Sequence, residues 1–316
     1  MRFTKGIIFA VLISSIVCSS VMAQVETGSK VYIKIYGGYG LLTPGSYRLE
    51  STSYNTTGST TTGTATISKT GFGSGPKFGG GIGFIVSDFL NIGVDAEYFS
   101  GTKVSSTSSY NESSSGYTYL STSQTQFTYT CISISPHVIF KALSKPNYLI
   151  YNKLGIFLNL PFNLNETSSD TASDVQTSYF SNTKNNDVNT YKMNLNVGLN
   201  VALGIQFRLT EKLRGFAEIF GNYLVLSPKS SLETYTEKVD AQNGVNPETH
   251  DIYVYNDSYT YIKSGTINSS STSGATSVNG QGYTVHPTTN TSTETVNYNT
   301  FNMNSIGLNI GIAYRF

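Results

Sequence analysis

Residues 191–209 read YKMNLNVGLNVALGIQFRL, and this stretch decides the fold class of the chain. Every odd position is apolar or aromatic, whereas the even positions hold Lys, Asn, Gly, Ala, Gln and Arg. Successive side chains of a β-strand point to opposite faces, so this period of two predicts a strand with one apolar and one polar face. A helix would instead scatter the Asn and Lys residues around its whole circumference.

The same alternation recurs elsewhere, most clearly in residues 306–316 and 90–99 and more weakly in residues 78–86. Extending these patterns along the chain predicts eight strands. Their approximate bounds are 30–40, 76–87, 90–103, 125–143, 147–162, 191–209, 213–227 and 299–316.

The connections between the predicted strands alternate strictly in length. Three are short, at 87–89, 144–146 and 210–212, and four are long, at 41–75, 104–124, 163–190 and 228–298. The long connections contain Ser/Thr-rich runs that cannot bury a core, so they are predicted to be solvated loops with mobile tips. Around the last of them, the flanking strands are expected to extend outward as hairpins. Short turns on one side and long loops on the other are typical of outer-membrane β-barrels.

Composition agrees with a membrane-spanning sheet. Charged residues make up 12% of the chain, about half the usual share of a soluble domain. After the N-terminus, no apolar run is long enough for a transmembrane helix, which leaves a closed barrel as the spanning alternative. The expected fold is all-β: an eight-stranded antiparallel transmembrane β-barrel, an up-and-down meander with long extracellular loops.

The first 23 residues are predicted to be a secretory signal peptide. Arg2 and Lys5 form a positive region, residues 6–17 are mostly apolar, and residues 21–23 fit a cleavage site with small residues. The barrel domain is then expected over residues 24–316. Only Cys131 remains in this mature part, so an intrachain disulfide is not possible there.

The chain resembles the small eight-stranded outer-membrane barrel proteins of the OmpA-barrel, OmpX and OmpW kind. The resemblance covers roughly residues 25–316 and rests on the ending GIAYRF (311–316) and on residues 81–98. It implies that Tyr314 and Phe316 form the signal read by the barrel-assembly machinery. It also implies location in the outer membrane of a Gram-negative bacterium, among outer-membrane lipid and lipopolysaccharide, after export through the secretory pathway.

Six titratable residues are predicted to point inward at mid-height of the barrel. They are Lys34, Asp95, Glu97, His137, Lys153 and Glu218. Eight-stranded barrels are just wide enough for side chains to fill them, and buried charges need opposite partners. We therefore expect a salt-bridge network that closes the lumen, with a hydrated narrow channel as the alternative.

Catalytic and cofactor sites are weakly indicated. The chain has three histidines, and neither metal-ligand spacing nor a nucleotide-binding glycine motif accompanies them. We interpret His137 as a polar side chain that fills the lumen, and His250-Asp251 as a solvated dipeptide in a loop. No cofactor, nucleic-acid partner or enzymatic activity is expected, because a barrel enzyme would need reactive groups at the outer rim. Three functions stay open: a structural or surface-interaction protein whose loops bind a ligand, a narrow channel for small or hydrophobic solutes, and a rim-sited enzyme.

Overall fold

The computed structural model describes residues 30–43, 47–160, 163–176, 179–243, 249–262, 268–279, 281, 283–295 and 301–316. Within these residues the chain is all-β, with twenty strands and a large, mostly antiparallel sheet. The signal peptide predicted over residues 1–23 lies outside the described residues. The strands are β1 Val31–Leu42, β2 Tyr47–Thr57, β3 Thr60–Thr70, β4 Gly75–Ile85, β5 Leu90–Ser100, β6 Val104–Ser114, β7 Tyr117–Ser144, β8 Tyr148–Leu160, β9 Asn163–Gln176, β10 Tyr179–Met193, β11 Asn196–Arg208, β12 Leu213–Tyr223, β13 Val225–Leu226, β14 Pro228–Asn243, β15 Thr249–Ile262, β16 Asn268–Ser273, β17 Ser277–Val278, β18 Thr284–Thr295, β19 Phe301–Asn302 and β20 Ser305–Arg315.

Eight of these strands pair in a closed order, which we call the ring. β1 pairs with β4, β4 with β5, β5 with the C-terminal half of β7, and β7 with β8. The order continues from β8 to β11, β12 and β20, and β20 pairs with β1 over eleven positions from Tyr32↔Arg315 to Leu42↔Ser305. All eight pairings are antiparallel. Each ring strand overlaps one of the eight strands predicted from the sequence.

Ring strands bury their polar face and expose their apolar face. Along β5, burial alternates at every residue from Asn91 to Phe99. Asn200 and Asn309 are 7% and 2% exposed, whereas their neighbours Leu199 and Ile310 are 43% and 61% exposed. The predicted alternation is therefore observed. Unlike a soluble protein, the ring exposes many large apolar side chains, although it also buries aromatic residues such as Tyr36 and Phe216.

Glycines make room on the buried face of the ring for the large side chains of neighbouring strands. A Cβ added to Gly38 would meet the side chain of Asn309 and would lie 2.6 Å from the carbonyl oxygen of Leu308. A Cβ on the adjacent Gly37, which faces outward, would meet nothing nearer than the Phe78 ring at 3.6 Å. The two glycines therefore differ in the space that a side chain would find.

We expect Gly38→Ala to destabilise the protein by about 1–3 kcal/mol, because overpacking forces neighbouring groups to move. Gly37→Ala is the matched control and should change the free energy of unfolding by less than about 0.5 kcal/mol. Denaturant unfolding of both variants in detergent micelles measures the difference. Equal effects at the two positions would contradict the packing described here.

The long connections form strands rather than the loops that the sequence predicts, although many of their residues, such as 57–67, are exposed as expected. Most of their residues form a second sheet, ordered β3, β2, β6, N-terminal half of β7, β9, β10, β14, β15 and β18, with β16 and β17 on β18. Two of its pairings, β2–β6 and β15–β18, are parallel, so the chain as a whole is not a simple meander. Thr is a favourable strand residue, and pairing with neighbouring hairpins satisfies a backbone that carries no apolar pattern.

Some strand bounds also differ from the prediction. The stretch 191–209 is divided at Asn194 and Leu195, where β10 ends and β11 begins. The backbone N–H of Asn194 donates to the carbonyl oxygen of Ser227 at 3.0 Å, so the chain changes partner at this point. β7 is longer than predicted, because it continues from the ring into the second sheet.

Candidate functional site

The structure brings all six predicted residues to the buried face of the ring. Each of them is 7% exposed or less. They come from five strands: Lys34 on β1, Asp95 and Glu97 on β5, His137 on β7, Lys153 on β8 and Glu218 on β12.

Two lysines and two carboxylates form the centre of this cluster. The Lys153 ammonium donates to Glu218 at 2.7 Å and also lies 3.7 Å from an oxygen of Asp95. That same Asp95 oxygen pairs with the Lys34 ammonium at 2.9 Å. Four charges from four strands are thereby joined, and each compensates a charge that burial would otherwise make costly.

Lys77 completes the cluster, and the sequence reasoning missed it. Its ammonium lies 2.8 Å from Glu97 and 3.4 Å from the centre of the Phe220 ring. With Lys77, the described cluster contains three lysines and three carboxylates, so its formal charge is zero when His137 is neutral. The signal was available, because Lys77 belongs to the positions that alternate with the apolar residues of segment 78–86.

Neutral groups supply further hydrogen bonds to the buried carboxylates. Glu218 accepts from the Tyr151 hydroxyl at 2.9 Å and from the Asn309 amide at 3.2 Å. Glu97 accepts from the Tyr36 hydroxyl at 3.3 Å. Of these three donors, Tyr151 reaches the oxygen that the ion pair leaves over, Glu218 Oε1, whereas Asn309 and Tyr36 donate to the same Oε2 atoms that the lysines contact. Such additional hydrogen bonds help to stabilise a buried carboxylate.

His137 is held by the ring without a catalytic arrangement around it. Its Nδ1 lies 3.0 Å from the carbonyl oxygen of Ser135 and 3.7 Å from Asp95. The side-chain hydroxyl of Ser133 donates instead to the backbone of Glu97. Within the described residues, neither nearby serine hydroxyl bonds to the imidazole, so the geometry offers no activated nucleophile.

Above the charged cluster, an apolar layer fills the junction between the ring and the second sheet. Phe127, Tyr129 and Cys131 follow one another on the buried face of β7, where it passes from the second sheet to the ring. These three side chains are each 1% exposed or less. The layer consists of Phe72, Phe99, Phe127, Tyr129, Cys131, Phe157, Leu164, Met193, Leu224, Leu226, Phe301 and Met303.

The two C-terminal aromatic residues lie on the exposed face at one end of the ring. Tyr314 is 39% and Phe316 59% exposed, and their rings meet edge to face with centroids 5.4 Å apart. The backbone N–H of Phe316 donates to the carbonyl of Val31 at 3.2 Å. This geometry leaves both rings accessible to a partner.

The second sheet carries most of its described carboxylates on one face, and three lysines together with Asp240 on the other. Side chains opposite each other in neighbouring strands share a face, so the strand register places ten carboxylates on the face that continues the buried face of β7. Lys184, Lys192 and Lys238 lie on the opposite face. The ten are Glu50, Glu112, Glu166, Asp170, Asp174, Asp187, Glu233, Glu237, Asp251 and Asp257.

Partial burial on the acidic face raises the pKa of Asp187 from 3.8 to about 6. Desolvation is the largest cause, followed by repulsion from Glu166, Asp170 and Asp257. The Asp187 carboxyl group therefore binds its proton more tightly in the folded chain than in the unfolded chain. The stabilisation is present below the unfolded-state pKa of 3.8 and is lost as the pH rises through about 6.

We expect Asp187→Asn to stabilise the second sheet at about pH 7 and to have little effect at about pH 4, where the aspartic acid is already neutral. Urea unfolding at the two pH values, with the exposed Glu211→Gln as control, measures this difference. An Asn variant with the same pH dependence as the unmodified protein would show that Asp187 does not carry the effect.

The other two histidines lie on strands of the second sheet, where each contacts an aspartate. His250 and Asp251 are adjacent on β15 and therefore point to opposite faces. His250 Nδ1 lies 2.7 Å from Asp240, and His286 Nε2 lies 3.1 Å from Asp251. His250-Asp251 is therefore not an acid–base pair, and it belongs to a strand rather than to a loop.

In the described part of the chain, no group of three or more His, Cys, Asp or Glu side chains could hold a metal ion. The same residues include no helix long and apolar enough to cross a membrane. No protein-family model matches the chain, and no curated protein matches it.

Proposed function

We propose that the chain is a surface-interaction protein of the outer membrane, in which the ring is an eight-stranded transmembrane β-barrel and the second sheet projects outward. One observation carries this proposal. The ring exposes large apolar side chains, such as Ile35, Phe78 and Ile310, which are 61–64% exposed. It buries lysines and carboxylates instead. In water such a surface would aggregate, whereas in lipid it is the expected wall of a barrel.

The proposed barrel is filled rather than open. Three lysine–carboxylate contacts at 2.7–2.9 Å cross its interior, and the apolar layer covers the cluster on the side of the second sheet. An eight-stranded barrel has little interior space beyond its side chains. A structural or surface-interaction role, in adhesion or in stabilising the envelope, therefore fits better than a narrow channel for small or hydrophobic solutes.

Orientation provides the test of this proposal. The turn at Gly58 and Ser59 joins β2 to β3 at a tip of the second sheet, and Gly58 has the positive φ of 60° that such tight turns favour. An epitope inserted after Ser59 should bind antibody on intact Gram-negative cells that express the protein. An epitope inserted in the short turn at Glu211 is the control and should be labelled only after the outer membrane is disrupted. The reverse pattern would overturn the proposed orientation.

A further inference from the structure

The exposed, lysine-bearing face of the second sheet contains an open depression of about 270 Å³, which we call the cavity. It lies across strands β7, β9, β10 and β14, away from the charged cluster inside the ring. Its lining combines two cations, a carboxylate, an amide and several hydroxyl groups. The lining residues are Leu120, Thr171, Ala172, Ser173, Asn182, Thr183, Lys184, Lys238 and Asp240.

Two lysines of this cavity face each other directly across neighbouring strands. Lys184 of β10 is the register partner of Lys238 of β14. Like charges directly opposite in a sheet are destabilising. The Lys238 ammonium lies 3.9 Å from Asp240, whereas Lys184 has no ion-pair partner in the parts of the chain that the structure describes. An anionic group bound between the two ammonium groups would offset this repulsion.

The next row of the cavity is suited to hydroxyl groups. Asn182 is the register partner of both Ser173 and Asp240. Asp240 accepts a hydrogen bond from the Tyr283 hydroxyl at 2.7 Å and contacts His250 Nδ1 at the same distance. These contacts fix the carboxylate, so its remaining oxygen and the neighbouring amide and hydroxyl can hydrogen-bond to a ligand.

We propose that this cavity binds a sugar residue that carries a carboxylate, such as a hexuronate within a glycan. The carboxylate lies between Lys184 and Lys238, and the sugar hydroxyls bond to Asn182, Ser173 and Asp240. A volume of about 270 Å³ is sufficient for one sugar ring. The inference rests on the proposed function, because a glycan would be met at the cell surface.

Binding to the purified full-length protein in detergent micelles tests the proposal. The probe is a hyaluronan octasaccharide, which alternates glucuronate with a neutral sugar, and the control ligand is neutral maltooctaose. Calorimetric titration should show binding of the acidic probe alone. We expect Lys184→Gln and Lys238→Gln each to weaken it about tenfold, since each removes a charge-assisted hydrogen bond. Lys192→Gln, on the same face of β10 but outside the cavity, should leave the affinity unchanged within about twofold.

A second measurement distinguishes a specific binding site from nonspecific electrostatic attraction to a basic protein surface. Without ligand, Lys184→Gln should raise the denaturation midpoint because it removes the repulsion with Lys238. Equal binding of both oligosaccharides, equal loss in the Lys192 variant, or failure of the acidic probe to bind would overturn the inference. Because purified protein is used, such a failure leaves the epitope test of membrane orientation unaffected.

Discussion

Lys153→Met is expected to destabilise the protein by roughly 3–5 kcal/mol, because it leaves the buried Glu218 carboxylate without the cation that it contacts. Lys153 is 3% exposed and contacts Glu218 at 2.7 Å and Asp95 at 3.7 Å. Asp95 keeps its contact with Lys34, but Glu218 would retain only its neutral donors Tyr151 and Asn309. Denaturant unfolding in detergent micelles measures the loss.

Two companion variants separate lost pairing from lost packing. The double variant Lys153→Met/Glu218→Gln removes both charges and should recover part of the stability, which gives a favourable coupling free energy between the two positions. Lys103→Met, at an exposed lysine between β5 and β6, should change the free energy of unfolding by less than about 0.5 kcal/mol. Small and additive effects of the Lys153 and Glu218 substitutions would instead indicate a hydrated interior in which water screens these charges.

For the charged cluster, the alternation of apolar and polar residues predicted the face that a side chain occupies but not its ion-pair partner. Strand parity predicted the buried face for Lys34, Asp95 and Lys153, because their strands alternate strongly with Ile, Leu and Val. Lys77 was missed because β4 has glycines on both faces, which weakens its apolar pattern. Parity gives the face of a residue but not its partners; these depend on strand register, which brings residues from distant parts of the chain together.

The strands of the second sheet could not be predicted from the sequence for a different reason. Segments such as β3, with the sequence TTTGTATISKT, carry no alternation that would predict a buried face. Their strands are defined by pairing with segments that are distant in sequence, as in the parallel pairing of Thr52–Thr57 with Ser108–Ser113. The apolar layer was missed as well, since Phe72 lies in a segment that is otherwise rich in Ser, Thr and Gly.

Ile310→Arg is expected to destabilise the protein in a bilayer by roughly 2–4 kcal/mol, the cost of a charge on the lipid face near mid-depth. Ile310 is 61% exposed on β20, so the same change in a water-facing strand would be close to neutral. Val188→Arg is the control, because Val188 is 44% exposed on the second sheet, which the account places in water. Unfolding from lipid vesicles measures both variants. A neutral Ile310→Arg substitution would contradict a lipid-facing wall.

Contact of the exposed apolar face of the ring with lipid can be tested directly, because the chain contains no Trp. Single-Trp variants Ile310→Trp and Val188→Trp are reconstituted into vesicles whose lipids carry bromine on their acyl chains, which quenches nearby indole fluorescence. We expect strong quenching of Trp at position 310 and none at position 188, relative to vesicles of unbrominated lipid. Unquenched fluorescence at position 310 in the folded, vesicle-bound protein would show that the ring does not face lipid and would contradict the account.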